Sequence, residues 1–211
     1  LEMTKWFDTN YHYLVPEFDG PAPRLASAKP FEEFAEATAF LGRPAKPVLL
    51  GPLSLLLLGK RHRLPLAAHL DELLPVYREI LERLAVAGAE WVQVDEPVLV
   101  QDRSEDELRL LRRAYEVLGA APKRPQIMLQ TYYGSLDEAS WDLVMTLPVE
   151  GVGLDFVRDD RNRALLNRHG CAADKVFGAG VVDGRNVWRT NLVEALEKLE
   201  EIAEHVPVDR I

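Results

Sequence analysis

The sequence predicts an α/β fold, part of a (β/α)8 TIM-type barrel with about six of its strands present. Three observations point there. Short apolar runs alternate with longer amphipathic ones, the short runs are close to continuously apolar, and almost every one ends in a polar or turn-forming group. Alternation of this kind builds a parallel sheet covered by helices, continuous apolarity marks strands buried on both faces, and polar strand ends are what a barrel mouth requires. An open dinucleotide-binding sheet would carry a Gly-x-Gly-x-x-Gly turn after an early strand, and the chain has none.

The first candidate strand, 11–15, lies inside an opening segment dense in aromatic side chains and also carrying Lys5, Asn10 and His12. A helical pattern at 31–41 leads to a strand at 48–51, which closes on Gly51-Pro52 with Ser54. The helix at 67–87 buries one face through Leu70, Leu73, Leu74, Tyr77, Ile80, Leu81 and Leu84, and Gly88 stands where a left-handed C-cap residue is expected. The strand at 91–94 ends in Asp95-Glu96-Pro97, and Ser104 with Glu107 opens the helix at 105–118 as a capping box. A strand at 126–131 runs into Tyr132-Tyr133, followed by a helix at 136–146, a strand at 151–156 containing Asp155, and a helix at 161–167. The sixth strand, 176–182, finishes at Asp183-Gly184-Arg185-Asn186 before a last helix at 192–205, and Val208-Asp209-Arg210-Ile211 reads as the entry to another strand. Six strands cannot close an eight-stranded barrel. The remaining ones are expected before Leu1 and after Ile211, so residues 1–211 read as part of one barrel domain of a longer protein.

Composition narrows the function. With 211 residues, 47% hydrophobic and 28% charged, the chain can bury a substantial single core. A net charge of -9 disfavours nucleic acid as a partner, and the longest basic run, Lys60-Arg61-His62-Arg63, reads as a solvated loop end. The single cysteine, Cys171, excludes an internal disulfide and any zinc site built from several of this chain's thiolates; a reducing cytoplasm is expected. The longest apolar stretch, 53–58, is interrupted by Ser54 and falls far short of the roughly 20 residues that span a bilayer, so no membrane partner is expected.

Asp95-Glu96-Pro97 is the first candidate for chemistry, since strand-end carboxylates serve as acid and base, hold amines or bind metals. The structural alternative has Asp95 capping the next loop and Glu96 paired with an arginine such as Arg185. Neighbouring strand residues point to opposite faces, so the two cannot form one dyad while the strand continues. Asp183-Gly184 reads first as a tight turn, although Arg185 offers a fork for a carboxylate. Of the histidines at 12, 62, 69, 169 and 205, only His12 lies in a segment expected to enter the barrel, and a lone histidine there reads as core before ligand. Cys171 reads as a small buried residue rather than a nucleophile. A hydrolase using Asp95 or Glu96 as its acid lacks a second strand-end Glu, and Asp155 is its only partner, two strands on.

Four segments in order carry a resemblance: Glu2-Met3-Thr4-Lys5-Trp6-Phe7-Asp8-Thr9-Asn10-Tyr11-His12-Tyr13, Lys46-Pro47-Val48-Leu49-Leu50-Gly51-Pro52, Glu90-Trp91-Val92-Gln93-Val94-Asp95-Glu96-Pro97 and Gly184-Arg185-Asn186-Val187-Trp188-Arg189. Together they resemble the N-terminal half of cobalamin-independent methionine synthase. The resemblance implies two face-to-face barrels, the second holding zinc, homocysteine and most of the folate pocket, with this chain in the middle of the first. It implies methyl transfer from a 5-methyltetrahydrofolate polyglutamate to homocysteine, with zinc in the full-length enzyme and none bound by this chain, which alone is expected to be inactive. It matches Lys5 to the lysine that contacts the glutamyl tail, leaves Asn10 and His12 as weaker substrate-binding candidates, assigns no catalytic residue, and makes Asp95 a relic supporting the loop. The alternative is a purely structural barrel that braces the catalytic half and touches no ligand.

Overall fold

The computed structural model describes residues 2–61 and 63–211. β1 (Met3–Lys5) and β2 (His12–Leu14) pair as an antiparallel hairpin. β3 (Val48–Leu50), β4 (Trp91–Asp95), β5 (Gln126–Gln130), β6 (Gly151–Asp155) and β7 (Val176–Gly180) form one five-stranded parallel sheet in that spatial order. α1 (Lys29–Leu41) precedes β3, α2 (Pro52–Leu57) and α3 (Leu66–Val86) connect β3 to β4, and α4 (Glu105–Gly119), α5 (Glu138–Thr146) and α6 (Arg161–His169) fill the later crossovers. α7 (Leu192–Ala203) follows β7. Each strand lies beside its neighbour in sequence, the order of a barrel arc and not of a doubly wound sheet, whose order reverses at a switch point.

The sheet's two faces differ because strand side chains alternate. Val92, Val94, Ile127, Leu129, Val152, Leu154 and Phe177 are all buried and join Leu70, Leu81, Leu84, Leu111, Tyr115 and Trp141 in the core beneath the helices. On the other face the register aligns Leu50, Asp95, Gln130, Gly153 and Gly178 in one row. Asp95 and Gln130 thus stand in the middle of that row and glycines at one end, which leaves room for Gln130 to lie across Gly153.

The predicted stripe of α3 is buried at every position except Ile80, which is half-buried, and Gly88 takes the left-handed conformation just past the helix end (φ +93°). Ser104 and Glu107 make both halves of the capping box.

Two expectations, the strand count and the final strand entry, are corrected. The parallel sheet has five strands, because the first of the six candidates, 11–15, pairs with Met3–Lys5 in the hairpin. The cause is local: Trp6 N donates to Tyr11 O at 2.8 Å and Thr9 Oγ1 to Trp6 O at 2.6 Å, so the chain turns back before it can reach the sheet. The apolar stretch after Gly51 is the short helix α2, and Val208–Arg210 is a 3-10 turn rather than a strand entry. The basic run is paired as well as solvated: Lys60 meets Glu2, Arg61 donates to Leu56 O and Arg63 meets Glu72, while His62 lies outside the described residues.

Candidate functional site

The loops after β5, β6 and β7 enclose a cleft of about 280 Å³ lined by Gln130, Tyr132, Tyr133, Asp155, Arg158, Gly180 and Arg185, among others. Asp155 ends β6 and organises this rim. Its Oδ1 accepts from Val157 N (2.8 Å) and Arg158 N (3.1 Å), and its Oδ2 accepts from Tyr133 N (3.1 Å). Both oxygens are thus committed to backbone donors, as in an Asx-type turn. Asp183 does the same for the loop after β7, accepting from Arg185 N at 3.0 Å and Asn186 Nδ2 at 2.8 Å, so the turn reading of Asp183-Gly184 stands.

The β1–β2 hairpin lies against these loops. Arg158 Nη2 donates to Asp8 Oδ2 at 2.7 Å, while Arg185 Nη1 reaches Asp8 Oδ1 at 2.9 Å and Oδ2 at 3.0 Å, with Nη2 on the Asp8 carbonyl at 3.2 Å. Burial pushes the Asp8 carboxyl up, but the Arg185 hydrogen bond and the charges of Arg185 and Arg158 prevail and hold it below the usual carboxylate range. Phe7 and Tyr133 meet with ring centroids 5.8 Å apart, and Arg185 stacks over the Tyr133 ring at 5.2 Å. Among the described residues, Phe7 (φ 52°) and Tyr133 (φ 72°) are the positive-φ residues other than glycine, so backbone strain gathers where the two loops touch.

The hairpin's remaining side chains are more open than the sequence suggests. Lys5 and His12 face each other across the hairpin and are exposed, as is Asn10, and Tyr11 is 76% exposed instead of packed in a core. Trp6, Phe7 and Tyr13 are half-buried and form a small aromatic cluster, with Tyr13 Oη donating to Leu58 O. The strands are short and lie outside the sheet, so this segment is not an inward-facing strand and His12 is not a core histidine. Among the described residues, Lys5 makes no side-chain hydrogen bond or ion pair, which leaves its ammonium available at the surface.

Asp95 and Glu96 diverge as strand alternation requires. Asp95 points to the open face, where Gln93 Nε2 donates to its Oδ1 at 2.8 Å and Tyr132 Oη to its Oδ2 at 3.1 Å. Burial raises its pKa against those bonds and the nearby Lys46 charge. It braces Tyr132 and does not cap the next loop through its side chain. Glu96 is fully buried beneath α2 and α4. It accepts from Ser54 Oγ (2.7 Å), Ser54 N (2.8 Å), Leu53 N (3.3 Å) and Tyr115 Oη (3.3 Å), so it caps the first turn of α2 and pairs with no arginine. With Asp95, Asp155 and Glu96 each held in separate structural bonds, no acid–base pair of the hydrolase kind is assembled. Cys171 is half-buried, and burial raises its thiol pKa despite the nearby Arg210 and Lys175 charges, the reverse of an activated nucleophile.

Among the described residues no three His, Cys, Asp or Glu side chains converge as metal ligands would, and no helix is long and apolar enough to cross a membrane. Sequence reasoning missed Asp8, Arg158 and Tyr133. Asp8 sits inside the quoted opening motif, but its two arginines lie 150 and 177 residues away, beyond any spacing rule.

Comparison with known proteins agrees with this architecture. A family model described as "Cobalamin-independent synthase, N-terminal domain" matches residues 1–207. Proteins named 5-methyltetrahydropteroyltriglutamate–homocysteine methyltransferase are similar: that of Rhodopseudomonas palustris is 47% identical over 213 residues, covering 100% of this chain and 27% of the relative. That of Chelativorans sp. is 49% identical over 211 residues, covering 98% of this chain and 27% of the relative. The chain thus spans about a quarter of the length of the curated relatives it matches. Among solved structures, a B12-independent methionine synthase from Shewanella sp. aligns with a TM-score of 0.68 at 20% identity, covering 95% of this chain and 62% of that one. A putative vitamin-B12 independent methionine synthase from Listeria monocytogenes aligns with a TM-score of 0.71 at 16% identity, covering 92% and 64%. These two likenesses concern the fold.

Proposed function

The chain belongs to the cobalamin-independent synthase N-terminal domain family, and from that membership we propose that it is part of the folate-side barrel of a cytoplasmic methyltransferase. In this reading the full-length enzyme moves a methyl group from a 5-methyltetrahydrofolate polyglutamate to homocysteine, and the portion described here is inactive alone. The zinc that would keep homocysteine as a thiolate is held elsewhere in the enzyme; a single cysteine and the lack of a ligand cluster among the described residues support that division.

The observation that carries the reading is the hairpin: an exposed Lys5, without an ion-pair partner among the described residues, on a segment fastened to the loops at the C-terminal strand ends, where barrel proteins bind their ligands. A free ammonium is suited to a chain of carboxylates. Asn10 and His12, exposed on the same hairpin, extend the polar surface beside it. The test is Lys5→Ala in the full-length enzyme, assayed with mono- and triglutamyl donors. The expected result is a KM for the triglutamyl donor raised by about tenfold, a 1.4 kcal/mol loss, with little change for the monoglutamyl donor. Equal KM values for wild type and variant would favour a barrel that only braces the catalytic half.

A further inference from the structure

We propose that Asp8 is a positioning residue for Lys5, fixing through Arg158 and Arg185 the place of the hairpin that presents Lys5 to a glutamyl chain. The inference rests on the reading of Lys5 given above and adds to it a residue that does not itself touch the ligand.

Without the Asp8 clamp, little would hold the tip of the hairpin. β1 and β2 have three residues each and both are largely exposed. Such a ribbon is not stable by itself and takes its orientation from tertiary contacts. Near its open end the hairpin is attached by the Glu2–Lys60 pair and the Tyr13 hydroxyl on Leu58 O. At the tip, the contacts are the Phe7–Tyr133 rings and the Asp8 carboxylate. Lys5 stands between these two attachments, three residues before Asp8, and the Trp6–Tyr11 and Thr9–Trp6 hydrogen bonds make the intervening loop rigid. A shift of Asp8 is therefore passed on to Lys5.

The clamp is specific in geometry. Arg185 engages both carboxylate oxygens and the backbone carbonyl of the same residue, and Arg158 adds a third side-chain contact from a different strand-end loop. Contacts from both terminal nitrogens of one planar guanidinium to the carboxylate and the carbonyl of one residue fix orientation as well as distance. The charge balance favours a clamp over a ligand site at the arginines. Asp8 bridges the two guanidinium groups, and the Asp183 carboxylate also feels both charges, so an incoming carboxylate would meet a cluster that already holds its counter-charges.

The test uses the full-length enzyme with Asp8→Asn, Lys5→Ala and the double variant, each checked for an unchanged melting temperature, and Asp8→Glu as the conservative control. Asp8→Asn is expected to raise the KM for a triglutamyl donor by about threefold to tenfold with kcat preserved. The double variant should be no worse than Lys5→Ala alone, because both changes act through one ammonium. Amide exchange at Trp6 and Thr9 should quicken in Asp8→Asn and return toward wild type in Asp8→Glu. If Lys5→Ala raises the KM and Asp8→Asn does not, the proposal falls while the reading of Lys5 stands. If the two effects multiply in the double variant, the arginines act on the ligand directly and positioning is refuted. If Lys5→Ala leaves the KM unchanged, the underlying reading fails and the proposal goes with it.

Discussion

Glu96 occupies the space that a side chain at Gly51 would need: a Cβ there would stand 2.2 Å from both Cδ and Oε1 of Glu96. The carboxyl group cannot simply swing aside, since four donors from Leu53, Ser54 and Tyr115 hold it. Gly51→Ala is therefore expected to destabilise the fold by about 1–3 kcal/mol through overpacking against a fixed neighbour. Urea denaturation should show a lowered midpoint; an unchanged midpoint would mean that Glu96 has room to move.

Glu96 also makes stability depend on pH near neutrality. Burial pushes its pKa up to about 7, against the lowering effect of bonds from Ser54, Leu53 and Tyr115. The unfolded-state value is lower, so between roughly pH 4.5 and 7 the folded chain binds more protons than the unfolded one, and stability falls as pH rises through that window. The contribution is at most about 3 kcal/mol, from 1.36 kcal/mol per unit. Glu96→Gln should flatten this slope, keeping the bonds to one oxygen and giving up those that its amide nitrogen cannot accept. Parallel pH profiles of wild type and variant would sink the assignment.

The sheet order, the longer helices and most strand ends were legible because each leaves a local trace: the apolar stripe of α3, the Ser104–Glu107 box, the polar residues after almost every strand. The hairpin was not, because its strands are too short for alternation to register and its closure rests on backbone bonds and a Thr9 hydroxyl in the turn. α2 was hidden for a related reason. It starts at Gly51-Pro52 with no side-chain cap of its own, and the residue that satisfies its first turn, Glu96, comes from 42 and 43 positions away. Lys5 was singled out only through a motif, whereas its exposure and the ties of its hairpin to Arg158 and Arg185 through Asp8 are tertiary facts.

Lys175 is 2% exposed and donates to Leu147 O at 2.7 Å and Val149 O at 2.9 Å. Its ammonium thus sits at the C-terminal end of α5, where a cation also meets the negative end of the helix dipole. Lys175→Met keeps the packing of the stem and removes the two bonds. Burying the charge has a cost that methionine avoids, but charge-assisted bonds of this length outweigh it, giving an expected loss of about 1–3 kcal/mol. A variant more stable than wild type in thermal unfolding would reverse that ranking.

Two glycines near the cleft should respond in opposite ways to alanine. A Cβ on Gly180 would lie 2.6 Å from Leu154 O, a backbone atom fixed in the β6–β7 ladder, so something in the sheet must shift. Gly184, in the turn after β7, has nothing within 4 Å of its would-be Cβ and no positive φ to lose. Gly180→Ala is expected to cost about 1–3 kcal/mol and to disturb the cleft wall. Gly184→Ala should be neutral or stabilising by up to about 1 kcal/mol, because it restricts the unfolded chain without straining the folded one. Melting temperatures of the two variants, measured side by side, decide the matter: if Gly184→Ala is the more damaging, the turn that carries Arg185 is held by constraints other than space and backbone angle.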